Sequence, residues 1–124
     1  DSKTILIQPW EKDLINEIKN AINTSNIGFS AQDNGEAVII NVPALTEERR
    51  MELVKKVKVE TEKSRVSIRN VRKEANDELK KLGRSGTSED LIKEAESQIQ
   101  RFTDGFIEDA NKLASIKEEE LMKV

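Results

Sequence analysis

Leu45 to Leu82 reads LTEERRMELVKKVKVETEKSRVSIRNVRKEANDELKKL, and the rest of the chain is organised around it. The stretch holds no glycine and no proline and is built largely from residues that take a helical backbone at little cost. Thr46 is a candidate N-cap, and Glu47 and Glu48 put negative charge where the helix dipole favours it. Gly83 supplies a stop after the last leucine. At helical pitch Val54, Val57, Thr61, Ser64, Ile68, Val71, Ala75, Leu79 and Leu82 form one long, narrow stripe. Thr61, Ser64 and Ala75 are small enough for a partner helix to approach closely there. The expectation is one long helix over about 46–82.

Lys58, Arg65, Arg69, Arg72 and Asn76 form a second line on this helix, about a quarter-turn from the apolar stripe. The basic residues therefore border the packed seam. Their stems can lie along the helix while the guanidinium groups face phosphates or base edges. The bland alternative is a solvated charged face.

The same residues carry a resemblance. Pro43-Ala44-Leu45-Thr46-Glu47-Glu48-Arg49-Arg50 leads into the helix, and Val66-Ser67-Ile68-Arg69-Asn70-Val71-Arg72-Lys73-Glu74-Ala75-Asn76-Asp77 forms its centre. Together they resemble the signature of the bacterial ribosome recycling factor family, whose pattern runs P-x-L-T-E-E-R-R and V-x-I-R-N-V-R-R-D-A-N-D. Lys73 and Glu74 depart from the frequent arginine and aspartate but keep the charge. The opening Asp1-Ser2-Lys3-Thr4 and the closing Glu118-Glu119-Glu120-Leu121-Met122 resemble family segments too. The chain is expected to begin inside the family's small β domain, without its first long helix and first strands. The resemblance implies a protein shaped like a transfer RNA, with a three-helix bundle and a hinge, here at Asn41, Val42, Pro43, Ala44 and Leu45. It implies binding to the ribosome after termination and subunit splitting with elongation factor G and GTP used by that partner. The family's arginine contacts to large-subunit ribosomal RNA carry over to Arg69 and Arg72, and the geometry of the line adds Arg65, Asn76 and Lys58. Arg49 and Arg50 rank lower, as further phosphate contacts or as cover for the hinge.

Composition bounds these readings. Charged residues make up 36% of the chain and hydrophobic ones 35%, lean for a globule and ordinary for long helices. With no cysteine and no histidine, disulfides, thiolate metal sites and the usual general base are all excluded. No apolar run approaches membrane-spanning length, and nothing reads as a signal peptide. Net charge is −3, divided as −3 over residues 1–45, +4 over 46–82 and −4 over 83–124. An acidic protein with one basic helix suits docking of a defined face onto a polyanion better than general coating of nucleic acid. The expected partners are the ribosome and elongation factor G, with no membrane and no DNA, in a bacterial cytoplasm or an organelle.

Residues 1–43 read as part of a small β-rich domain. Lys3–Gln8 and Ala37–Val42 are strands, Glu11–Asn23 is a short amphipathic helix, and the stretch from Asn26 to Gly35 is turn chemistry with Ile27 and Phe29 as packing anchors. Trp10 reads as a core or hinge anchor more readily than as a base-stacking platform. Residues 44–124 form the helical domain: Gly83-Arg84-Ser85-Gly86 is a tight connection, Thr87 with Asp90 resembles a capping box, and Ser88 is an alternative cap. A second long helix follows over about 88–121, with Gly105 tolerated if a neighbouring backbone packs close. The expected fold class is α+β, a long antiparallel helical hairpin with a small, incomplete, hinge-linked α/β unit. Two helices cannot cover both stripes, so the sequence asks for a third.

No catalytic group stands out. The carboxylates are spread along helix faces, Asp104 and Asp109 lack clustered partners for a metal, and Gly83-Arg84-Ser85-Gly86 lacks the lysine of a phosphate loop. A non-enzyme without cofactor or metal is expected. The competing function is a helical structural module whose stripes serve oligomerisation without RNA binding.

Overall fold

The computed structural model describes residues 2–123 and divides the chain into two compact units, Asp1–Leu45 and Thr46–Val124. The first unit holds β1 (Thr4–Ile7), α1 (Leu14–Thr24), β2 (Ala31–Asp33) and β3 (Val38–Asn41). The second holds α2 (Glu47–Arg84) and α3 (Glu89–Met122).

In the small unit the strands form an antiparallel sheet in the order β1-β3-β2. Ile5 pairs with Ile40 and Ile7 with Val38, while Ala31 pairs with Ile40 on the other side. The period of two turns Val38 and Ile40 to one face, where they pack with Ile15 of α1 and with Ala31. Ile7, Ile18, Ile22 and Phe29 close the cluster at its edge. Lys19 of α1 reaches Asp33 of β2 at 2.6 Å, and its charge and hydrogen bond hold that carboxyl below the usual range.

The sequence predicts two strands here, and the described residues form three. β2 is short, mostly polar, and embedded in turn residues, so no apolar alternation announces it. It exists through partners: β3 on one side, and Asn23 of α1, whose side chain accepts from Ala31 N at 2.8 Å and donates to Ala31 O at 3.3 Å. Asn34 Oδ1 then accepts from the amides of Glu36 and Ala37, and Gly35 at φ +86° lets the chain turn back into β3. Helix α1 begins at Leu14 instead of Glu11, because Glu11–Asp13 are used by turns bonded to Leu14 N and Ile15 N. Ile27 is exposed rather than an anchor, and Trp10 is fully exposed, which overturns its reading as a core residue.

In the helical unit Thr46 caps α2, its hydroxyl accepting from Arg49 N at 3.1 Å. The stop lies further along than Gly83, which is helical. Thr87 N donates to Leu82 O and Gly86 N to Gly83 O, with Gly86 at φ +100°. This is a Schellman closure in which Gly86 takes the left-handed position. Ser88, not Thr87, caps α3, accepting from Leu91 N at 3.3 Å. No atom lies within 4 Å of a Cβ placed at Gly105, so the expected close neighbour is not there among the described residues.

α2 and α3 run antiparallel and pack along their length. The contact seam runs through half-buried Val57, Thr61, Ile68 and Leu79 of α2 and Ile92, Ile99, Ile107 and Ala114 of α3, around buried Thr103. At about 100° per residue the seam occupies the edge of the α2 apolar stripe that lies nearest the basic line. Part of each apolar stripe is therefore left open, as the unsatisfied stripes require. Val71, Phe102, Phe106 and Leu113 are each at least 60% exposed.

Candidate nucleic-acid interface

The placement of α3 decides what each face of α2 can do. Seated on the edge of the apolar stripe nearest the basic line, α3 leaves an apolar groove on one side, which Arg72 also lines, and Lys58 and Arg65 on the other. The groove has two stretches, of about 370 Å³ beside Val71, Phe102 and Phe106 and about 450 Å³ beside Leu53, Val57 and Leu113. Lys58 and Arg65 flank the opposite edge, lining a shallow cleft of about 350 Å³ with Asn111, Ser115 and Glu118.

The five residues of the basic line differ in their surroundings. Lys58 is exposed. Arg65 is half-buried and well held: its Nε donates to Glu62 Oε2 at 2.9 Å, and one Nη donates to Asn111 Oδ1 of α3 at 2.6 Å. Arg69 is exposed, with Glu62 Oε1 at 3.5 Å. Arg72 is half-buried against the seam and reaches Gln100 Oε1 of α3 at 3.5 Å. Gln100 in turn donates to Asp104 Oδ1 at 2.8 Å. Asn76 is half-buried, and its Oδ1 is buried with no hydrogen-bond partner among the described residues. Its acceptor faces the packed side of the helix, so Asn76 presents less to an external ligand than the arginines do.

Glu62 is the residue that pattern reading missed. One carboxylate meets two arginines, and its carboxyl sits below the usual range, chiefly through the hydrogen bond and charge of Arg65 and less through Arg69. The signal was present as an acid three residues before one arginine and seven before the next. It lies just outside the Arg65–Arg72 span that draws attention.

Arg50 is engaged within the helical unit. Its guanidinium donates to Leu121 O at 2.7 Å and also to Lys123 O, tying the start of α2 to the last carbonyls of α3. Arg49 instead pairs with Glu52 one turn on, at 3.0 Å. Among the described residues no group of three acidic side chains is placed to hold a metal ion, and no helix is long and apolar enough to cross a membrane.

What the basic line can do chemically follows from its donors. A guanidinium carries five N–H donors, and Arg65 uses part of its set internally while Arg69 and Arg72 use less. The donors left over are suited to charge-assisted hydrogen bonds with anions.

The family model described as Ribosome recycling factor matches residues 1–122. The ribosome-recycling factor of Flavobacterium psychrophilum is 49% identical over 124 residues, covering all of this chain and 66% of that protein. A solution structure of the ribosome recycling factor superposes with a TM-score of 0.69 at 38% identity, over 98% of this chain and 65% of that one. A second match, at TM-score 0.60 and 44% identity over 99% of this chain and 67% of that one, comes from models of the T. thermophilus recycling factor and E. coli elongation factor G bound to the E. coli post-termination complex. The chain thus spans about two thirds of the length of the relatives it matches. With a family match that runs nearly end to end, and with the arginine-bearing helix at its centre, the chain belongs to the ribosome recycling factor family.

Proposed function

We propose that this protein is a translation factor that binds the post-termination ribosome and, with elongation factor G and GTP hydrolysed by that partner, separates the subunits. The observation that carries the reading is the line of Arg65, Arg69 and Arg72 along one helix edge, in a chain of this family. Lys58 extends the line, and Asn76 stands at its end as the weakest member. These residues contact large-subunit ribosomal RNA through charge-assisted hydrogen bonds to phosphates, and the rigidity of the hairpin fixes their spacing. The protein supplies no bond-making chemistry of its own. The work comes from the GTPase, transmitted through the bundle, with Asn41, Val42, Pro43, Ala44 and Leu45 as the hinge. Pro43 suits that role because it holds Val42 extended and bars a helix there. The site of action is the bacterial cytoplasm, and neither a membrane nor DNA takes part.

The open groove beside Val71, Phe102 and Phe106 belongs to the same reading: a third helix, of the kind the family's bundle uses, covers it. The groove also favours a second reading, a helical module that self-associates through its apolar face without binding RNA. Light scattering of post-termination ribosomes separates the two. Addition of the protein with elongation factor G and GTP is expected to lower the scattering as subunits part, and Arg72→Ala to slow that fall. Unchanged scattering, together with concentration-dependent self-association, favours the structural module.

A further inference from the structure

Glu62 stands one turn before Arg65 and two turns before Arg69 on α2. Its Oε2 lies 2.9 Å from Arg65 Nε and 2.8 Å from Arg65 Nη2, and its Oε1 lies 3.5 Å from Arg69 Nη1. Two cations and one anion leave that trio with a single net positive charge. Arg72, one turn beyond Arg69, is placed differently: its recorded contact is with an uncharged amide, Gln100, at a loose 3.5 Å. The line is therefore not a uniform cationic stripe. It is a pair of arginines sharing one acid, followed by an arginine with no ion pair among the described residues.

We propose that Glu62 is a specificity-determining residue of this face, a built-in acid that restrains the pull of Arg65 and Arg69 on arbitrary phosphates. The inference rests on the RNA-binding reading of the arginine line given above. Non-specific attraction to a polyanion scales with the number of phosphates neutralised, and each pairing with Glu62 removes part of that capacity. RNA with no defined shape meets one free arginine at a time and is held weakly. RNA whose fold presents phosphates to Arg72 and to the outward donors of Arg65 and Arg69 together recovers several contacts at once. Because Arg65 is also fixed by Asn111 at 2.6 Å, its orientation survives removal of the acid. Glu62 is about half exposed, so exchanging its carboxylate for an amide leaves the helix intact.

The test compares the parent protein with Glu62→Gln, Arg69→Ala and Arg72→Ala, using poly(U) and vacant ribosomes as probes at about 50 and about 200 mM salt. Far-ultraviolet circular dichroism checks that all four proteins are equally helical. Glu62→Gln is expected to bind poly(U) about three- to tenfold more tightly at the lower salt, with a slope against salt steeper by about 0.7. Its ribosome affinity is expected to change less, so selectivity falls. A purely structural Glu62 does not move the salt slope. Equal or weaker poly(U) binding by Glu62→Gln, with ribosome binding still lost in Arg72→Ala, overturns the restraint and leaves the RNA face standing. If none of the three substitutions alters either affinity, the RNA face falls as well.

Discussion

Replacing Arg50 with alanine is expected to destabilise the helical unit. The last carbonyls of any helix lack intrahelical partners, and α3 has no basic residue in its last turn to meet them. Arg50 of α2 makes up that lack, donating to Leu121 O at 2.7 Å and to Lys123 O, more than seventy residues away along the chain. A hydrogen bond involving a charged group contributes about 1.5–3 kcal/mol when well buried. Arg50 is only half-buried, so about 1–2 kcal/mol is the appropriate scale for the pair of contacts together with the dipole. For a unit of this size that corresponds to a fall in Tm of about 5–15 °C. Thermal unfolding followed by circular dichroism measures the shift, and amide exchange at Met122 and Lys123 reports whether the end of α3 frays first. Arg50→Lys, which keeps the charge but not the forked geometry, is expected to lose about half as much. An unchanged Tm in Arg50→Ala refutes the clamp. If ribosome binding fell at the same time, Arg50 would be a phosphate contact after all.

Two glycines near the interhelical turn have opposite expectations. Gly83→Ala is expected to stabilise by about 0.5–1 kcal/mol, since the site is helical and the new Cβ meets Ile92 Cγ1 at an ordinary 3.8 Å. Gly86→Ala is expected to cost about 1 kcal/mol through its φ of +100°, and denaturant titration of both variants checks the contrast. The Lys19–Asp33 pair gives the small unit an acid-sensitive contact. Because the folded state lowers the Asp33 pKa below its ordinary 3.8, that contribution is fully present above the ordinary value and is lost as pH falls through the folded one. Asp33→Asn is therefore expected to unfold the small unit more easily than the parent at pH 7, with the two converging in strong acid. A gap that persists at the lowest pH counts against the ion pair as its cause.

Sequence legibility followed the range of the forces involved. The long helices were readable because their period, caps and composition all agree within one stretch, as in Thr46 and the valine-isoleucine line from Val54 to Val71. The fold class followed from them, and so did the demand for more cover than two helices provide. What escaped was decided by contacts between distant residues. β2 needed Asn23 and β3, and nothing in Ala31–Asp33 itself signals a strand. Gly83 and Gly86 lie three residues apart, and only the backbone conformation says which one ends the helix. In the candidate interface the arginine line was visible from spacing alone. Which edge of the apolar stripe α3 would cover was not, because that is decided by contacts between the two helices, among them buried Thr103 and half-buried Ile107. The same settling draws in Asn76, puts Asn111 on Arg65, and gives Arg72 an amide for a neighbour.

The central claim is that one edge of α2 is an RNA-binding surface with Arg72 as its least neutralised arginine. Co-sedimentation of the parent protein and Arg72→Ala with vacant ribosomes, at about 50 and about 200 mM salt, tests it most directly. The account predicts binding that weakens steeply with salt and falls further in the variant, at unchanged helicity. Binding that ignores salt and is the same for both proteins contradicts it.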